Sequence, residues 1–219
     1  MALKNTFSQS EILETSRFAL QNVESNPIIQ PLMAAVGYDT AKINEGKALL
    51  NTAQTQYDVN RGIDDTKARA SKAYDEKRTE IETLFTKDRS KAKLVFVDNA
   101  TALRELGLVG KTPRTFVKWL ESVDLFYNTL NSQPELVTQL NKFQIDTAHV
   151  TDALTALATL EQLRGERMQQ KGFAQNATKV KDKAFKDLEK WMGAFFAYAK
   201  ITLADEPQLL ESLGKLVRS

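Results

Sequence analysis

The stretch DTAKINEGKALLNTAQTQYDVNRGIDDTKARASKAYDEKRTEIETLFTKDRSKAKLVFV, residues 39–97, decides the fold. Its apolar or small positions step as Ile43, Gly46, Leu50, Ala53 and Tyr57, then Ala70, Tyr74, Ile81, Leu84, Phe85, Ala92, Val95 and Phe96. Spacings built from threes and fours place these side chains on one side of a helix, so the pattern predicts helix packed along a seam. Asp39 or Thr40 can cap its start.

The chain carries this pattern twice. At an offset of 107 positions, Asp39-Thr40-Ala41 falls on Asp146-Thr147-Ala148, Ser25 and Pro27 on Ser132 and Pro134, and Asp98 on Asp205. Leu103, Leu106 and Gly107 fall on Leu210, Leu213 and Gly214. Residues 12–112 against 119–219 give 19 identities in 101 pairs, where ordinary composition gives roughly six by chance. This reads as an internal duplication. The expected fold is an all-α helical bundle of two tandem repeats, 1–112 and 113–219, packed together as one unit. Antiparallel helices with self-similar faces favour a pseudo-two-fold axis between the repeats.

Whether 39–97 and 146–204 are single helices or hairpins is open at this level. The seam turns polar in DVNRGIDDTKARASK, residues 58–72, and the second copy weakens in GERMQQKGFAQNATK, residues 165–179. One helix over 39–97 would be roughly 88 Å long at about 1.5 Å per residue. A compact chain of this size is only about 45 Å across. Gly62 before Asp64-Asp65, and Gly172 in the other copy, offer a stop and a fresh cap, which favours turns near 62–65 and 169–172. Against this, the phase of the seam carries through both polar middles.

The flanking segments also read as helices. Ser8 or Ser10 can cap one running to about Glu24, and Ser25-Asn26-Pro27 ends it. A short helix follows to about Val36, with Gly37 as its stop. Asp98 is the expected cap of a short helix ending at Leu106-Gly107, and Asp205 of its counterpart, with Pro207 in the first turn. Residues 115–131 form the next helix, rich in aromatics. The run from Gly193 to Tyr198 is apolar most of the way round and is expected to be the most buried helical segment. The segment GLVGKTP, residues 107–113, is the linker, too short for the halves to move independently.

This layout, together with the run Leu106-Gly-Leu-Val-Gly-Lys-Thr-Pro-Arg-Thr-Phe-Val-Lys-Trp-Leu120 at the join, resembles uncharacterised bacterial helical proteins with internal duplication. The resemblance implies an all-helical fold and carries no activity.

Composition narrows the function classes. The 219 residues hold 30 basic and 28 acidic side chains, for a net charge of +2, so the global footprint of a nucleic-acid binder is lacking. Without cysteine there is no disulfide, zinc-thiolate site or thiol nucleophile. No window approaches a membrane span, and MALKNTFSQSEILETSRF lacks the apolar core of a signal peptide, so a cytoplasmic protein is expected.

Chemistry-bearing residues are few. His149 is the only histidine, in phase with Val150 and Leu154, and its counterpart in the first copy is Lys42. A paired Glu-x-x-His di-iron site is therefore impossible, and His149 reads as a surface or boundary residue rather than a catalytic one. Gly107-Leu-Val-Gly-Lys-Thr has the wrong spacing for a phosphate loop, and a helix rather than a strand precedes it. Asp64/Asp65, Asp75/Glu76 and Glu80/Glu82 read as a solvated face, with Asp75 at helical spacing from Arg78. Lys179, Lys183, Lys186 and Lys190 line one side of a helix, which reads first as a solvated face, with an acidic protein partner as the binding alternative for that stripe. Asp182, Asp187 and Glu189 dilute its field, so nucleic acid is not expected.

Two functional readings follow. The first is a non-catalytic helical module that meets a protein partner or its own copies and needs no cofactor or metal. The alternative is an enzyme or small-ligand binder with a pocket between helices of the second repeat, using Lys, Glu or Tyr shifted by its environment.

Overall fold

The computed structural model describes residues 7–214, and every regular element among them is helical. In order these are α1 (Gln9–Ser25), α2 (Ile29–Ala35), α3 (Thr40–Val95), α4 (Ala100–Glu105), α5 (Phe116–Ser132) and α6 (Pro134–Leu140). A 3-10 turn (Asn141–Phe143), α7 (Thr147–Thr202) and α8 (Pro207–Ser212) complete the chain. The bounds of α5, α7 and α8 are those of α1, α3 and α4 moved by 107 positions.

Local chemistry explains the ends. Ser8 and Glu11 close a capping box on α1. The Ser8 backbone N–H and hydroxyl together hold the Glu11 carboxyl below the usual carboxylate range. Asp39 Oδ1 accepts from Lys42 N at 2.9 Å, and Asp146 Oδ1 from His149 N at 2.8 Å, so each 56-residue helix begins on an aspartate. Gly37 and Gly107 take the left-handed conformation that lets the chain leave α2 and α4. The cap of α4 is Asn99, not Asp98: its side chain accepts from Ala102 N at 3.0 Å. Glu206 rather than Asp205 precedes α8, with no side-chain cap and with Pro207 in the first turn.

The turns expected near 62–65 and 169–172 are not formed. Gly62 and Gly172 lie inside continuous helices, with open space where a Cβ would stand. An interior glycine costs a helix only about 1 kcal/mol relative to alanine. The polar middle supplies its own ties: Asn60 Nδ2 donates to Asp64 at 2.8 Å, and Thr178 Oγ1 donates to Asn60 at 3.1 Å. The premise of a single compact core also fails, because the chain divides into two compact units at 65/66 and 171/172. The polar stretches mark those boundaries and not turns.

The first unit holds residues up to 65 and from 172 onward. It packs α1, α2, the start of α3, the end of α7 and α8 around Leu20, Ile29, Met33, Phe195 and Leu213. Trp191 stacks on Phe195 at 5.6 Å, and Tyr38 meets both rings edge-on. The Gly193–Tyr198 segment is less enclosed than its composition suggests. Phe195 is fully buried, but Gly193, Ala194, Ala197 and Tyr198 face outward. One stripe of the helix is enough to fill this core.

The second unit, residues 66–171, packs the end of α3, α4, α5, α6 and the start of α7 around Ile81, Phe85, Phe96, Phe126 and Leu130. Within it the linker is tied down. Arg89 donates to the carbonyls of Gly107, Leu108 and Gly110, and Lys93 also reaches Gly110.

Candidate functional site

The second unit contains a buried polar cluster built on α3. Asp88 occupies the seam position between Phe85 and Ala92, four residues short of the latter, and is only 1% exposed. A carboxylate there needs donors, since burying one unpaired is costly. Two arrive at a single oxygen: Tyr127 of α5 donates its hydroxyl to Asp88 Oδ2 at 2.8 Å, and His149 of α7 donates from Nε2 at 2.6 Å. Asp88 Oδ1 has no hydrogen-bond donor, and Lys91 Nζ lies 3.7 Å from it while donating to the Phe143 carbonyl at 3.0 Å. Burial, with the Asp88 charge and hydrogen bond beside it, pushes the Tyr127 hydroxyl far above the ordinary phenol range. The hydroxyl is thus fixed as a donor.

The cluster joins three helices through one carboxylate. Chemically it is a histidine oriented by an aspartate, half of a nucleophile-activating triad. Asp88 Oδ2 also serves Tyr127, and among the described residues no serine or threonine hydroxyl is bonded to the histidine ring. The arrangement orients the ring and ties the three helices.

A second polar feature lies at the start of α5. Arg78 sits over two aromatic rings, 5.5 Å from the centre of Phe116 and 5.7 Å from that of Trp119, and Arg164 faces Phe116 at 5.1 Å. The expected partnership of Asp75 with Arg78 is not made. Asp75 meets Arg167 at 3.5 Å, and Arg167 also covers Tyr74. The other singled-out carboxylates, Asp64, Asp65, Glu76, Glu80 and Glu82, are exposed.

The lysine stripe is where the spacing puts it. Lys179, Lys183, Lys186 and Lys190 are all exposed on α7. Lys183 pairs with Asp187 at 2.9 Å. That hydrogen bond, with the charges of Lys183, Lys186 and Lys190, holds the Asp187 carboxyl below the usual range. The Gly107–Thr112 loop turns its carbonyls toward Arg89 and Lys93, the opposite of a phosphate loop, which turns its N–H groups inward.

His149 is half-buried, as a boundary residue should be, but its tie to Asp88 escapes sequence reading. The available signal is the missing step in the seam, a charged residue where Phe85 and Ala92 demand an apolar one. Among the described residues no group of three or more His, Asp or Glu side chains is placed to hold a metal, and no helix is long and apolar enough to cross a membrane. No family model matches the chain, and no curated protein or solved structure matches it.

Proposed function

We propose that this chain is a non-catalytic helical module that works by presenting surface to a protein partner, a second copy of itself included. The observation that carries the reading is on α2 and its two cap residues, Ile28 and Val36. Ile29 and Met33 fill the core, yet Ile28, Leu32 and Val36, one turn apart on the other side, are 50%, 39% and 38% exposed. An apolar row on the solvent side of a helix whose inner side is already satisfied is suited to contact with another protein. In the same reading the lysine side of α7 meets an acidic segment of the partner, the protein acts in the cytoplasm, and neither nucleic acid nor membrane is engaged. Residues 1–112 and 113–219 are tandem repeats related by a pseudo-two-fold axis, a reading supported by the shared 107-residue offset of sequence and helix bounds.

A photo-crosslinking residue at Leu32, compared with one at exposed Gln169, tests the proposal in cells that express the protein. The expected result is a discrete protein adduct at position 32 only, at twice the chain mass if the partner is a second copy. Equal labelling at both positions, or no protein adduct, would overturn it.

A further inference from the structure

Trp119 is 4% exposed, and its indole N–H has no acceptor. A buried donor left unsatisfied is unfavourable and calls for a reason. Trp191 shares the feature, but it is enclosed among Tyr38, Phe195 and the backbone of Gly46. Trp119 instead lines an open cleft of about 250 Å³ between α3 and the start of α5, along with Arg78, Arg114, Thr112 and Glu82.

The lining is rich in donors. Arg78 is half-buried, held against Phe116 and Trp119, and its Nε has no hydrogen-bond partner. Among the described residues neither Arg78 nor Arg114 forms an ion pair. A guanidinium fixed on aromatic faces keeps its planar fork pre-organised for an oxyanion. The N-cap of α5, Thr115, accepts no hydrogen bond through its side chain, so the first turn of this 17-residue helix keeps its positive end uncapped. Among the described residues that line the cleft, Glu82 is the one opposing charge. Thr86 also borders the cleft, but its hydroxyl donates to the Glu82 carbonyl.

From this convergence we infer that the cleft bounded by Arg78, Arg114 and Trp119 binds a small phosphate-bearing ligand. Two guanidinium forks, the Thr112 hydroxyl and a helix N-terminus suit a tetrahedral dianion, with the Trp119 indole forming part of the wall. The volume fits a small ligand, since sites for drug-sized molecules run roughly 300–1,000 Å³. Glu82 opposes the anion and keeps binding weak.

The test is calorimetric titration of the full-length protein at fixed ionic strength with inorganic phosphate, glycerol phosphate and acetate, alongside the indole N–H resonances in a ¹H–¹⁵N spectrum. Phosphate should bind saturably and shift the Trp119 resonance, identified by its loss in Trp119→Phe. Arg114→Gln, an exposed change that leaves folding intact, should weaken binding about tenfold. Trp119→Phe should also weaken it, and Glu82→Gln should tighten it. Tighter binding of the ester than of free phosphate would identify an esterified ligand, and the reverse a free one. An unmoved Trp119 resonance, phosphate binding unchanged by Arg114→Gln, or acetate binding as tightly as phosphate would each overturn the inference.

Discussion

The Tyr127 hydroxyl donates to Asp88 Oδ2 over 2.8 Å, and both side chains are buried among Phe85, Phe126 and Leu130. One carboxylate oxygen therefore holds α5 to α3, and with His149 it holds α7 as well. The members should not be equal. Asp88→Ala strands a buried hydroxyl and an imidazole, and should destabilise by about 3 kcal/mol. Tyr127→Phe leaves the carboxylate one donor short and should cost about 1–2 kcal/mol. His149→Ala should cost about 1 kcal/mol, because water can reach the vacated position of a half-exposed ring. Urea unfolding checks all three. His149→Ala should leave partner binding unchanged, and loss of binding by a folded variant would show that the ring does more than tie helices.

Tyr127 also predicts an alkaline limit. Its proton is held more tightly folded than unfolded, because burial and the Asp88 charge oppose a phenolate. Stability from this group is complete below the unfolded tyrosine value of about 10 and declines as pH rises above it. Tyr38, raised by burial, adds in the same direction. Absorbance titration should show the Tyr127 signal appearing only together with unfolding. Tyr127→Phe should remove that late component and flatten the fall of stability above pH 10. A smooth, non-cooperative ionisation of Tyr127 in folded protein would contradict the geometry.

Much of this architecture is written in short-range chemistry. Ser8 with Glu11, Asp39, Asp146, Pro27 and Gly37 declare their helix ends, because caps and stops depend on neighbours a turn away. What escapes is set by distant chain. Residues 58–72 look like a turn because their polarity is visible, whereas the Thr178 hydroxyl that meets Asn60 from another helix is not. Arg78 at helical spacing from Asp75 reads as an ion pair, but Phe116 and Trp119, some forty residues on, offer it ring faces instead. Tyr127 reads as one more core aromatic after Phe126, and only the fold brings Asp88 to its hydroxyl. The sequence shows Asp88 only as a charged residue in an otherwise apolar seam, a signal that does not by itself name its partners.

The lysine stripe yields a negative expectation with a sharp alternative. Its four side chains are exposed, and Asp187 already engages Lys183. Changing all four to glutamine should move the melting temperature by no more than about 2 °C. No duplex DNA binding is expected at physiological salt. If the stripe did grip phosphates, log affinity against log salt would fall with a slope of roughly −3 to −4 for four contacts. Salt-sensitive DNA binding abolished by the fourfold change would reassign this face from an acidic partner to nucleic acid.

The helical glycines separate a continuous helix from a hairpin and a close contact from open space. At Gly62, Gly165 and Gly172 an added Cβ meets nothing within 4 Å, and each lies inside α3 or α7. Alanine there should stabilise by about 0.5–1 kcal/mol each, because it restricts the unfolded chain and suits helix. Were 62–65 or 169–172 a turn needing glycine, the same changes would destabilise. Gly46 is the counter-case: a Cβ would stand 2.5 Å from the Trp191 ring, which is itself stacked on Phe195. The ring has little room to retreat, so Gly46→Ala should destabilise by about 1–3 kcal/mol through overpacking. Thermal melts of the four single variants provide the measurement. Three gains beside one loss support the continuous helices and the tight α3–α7 contact in the first unit, while a loss at Gly62 or Gly172 would restore the turn.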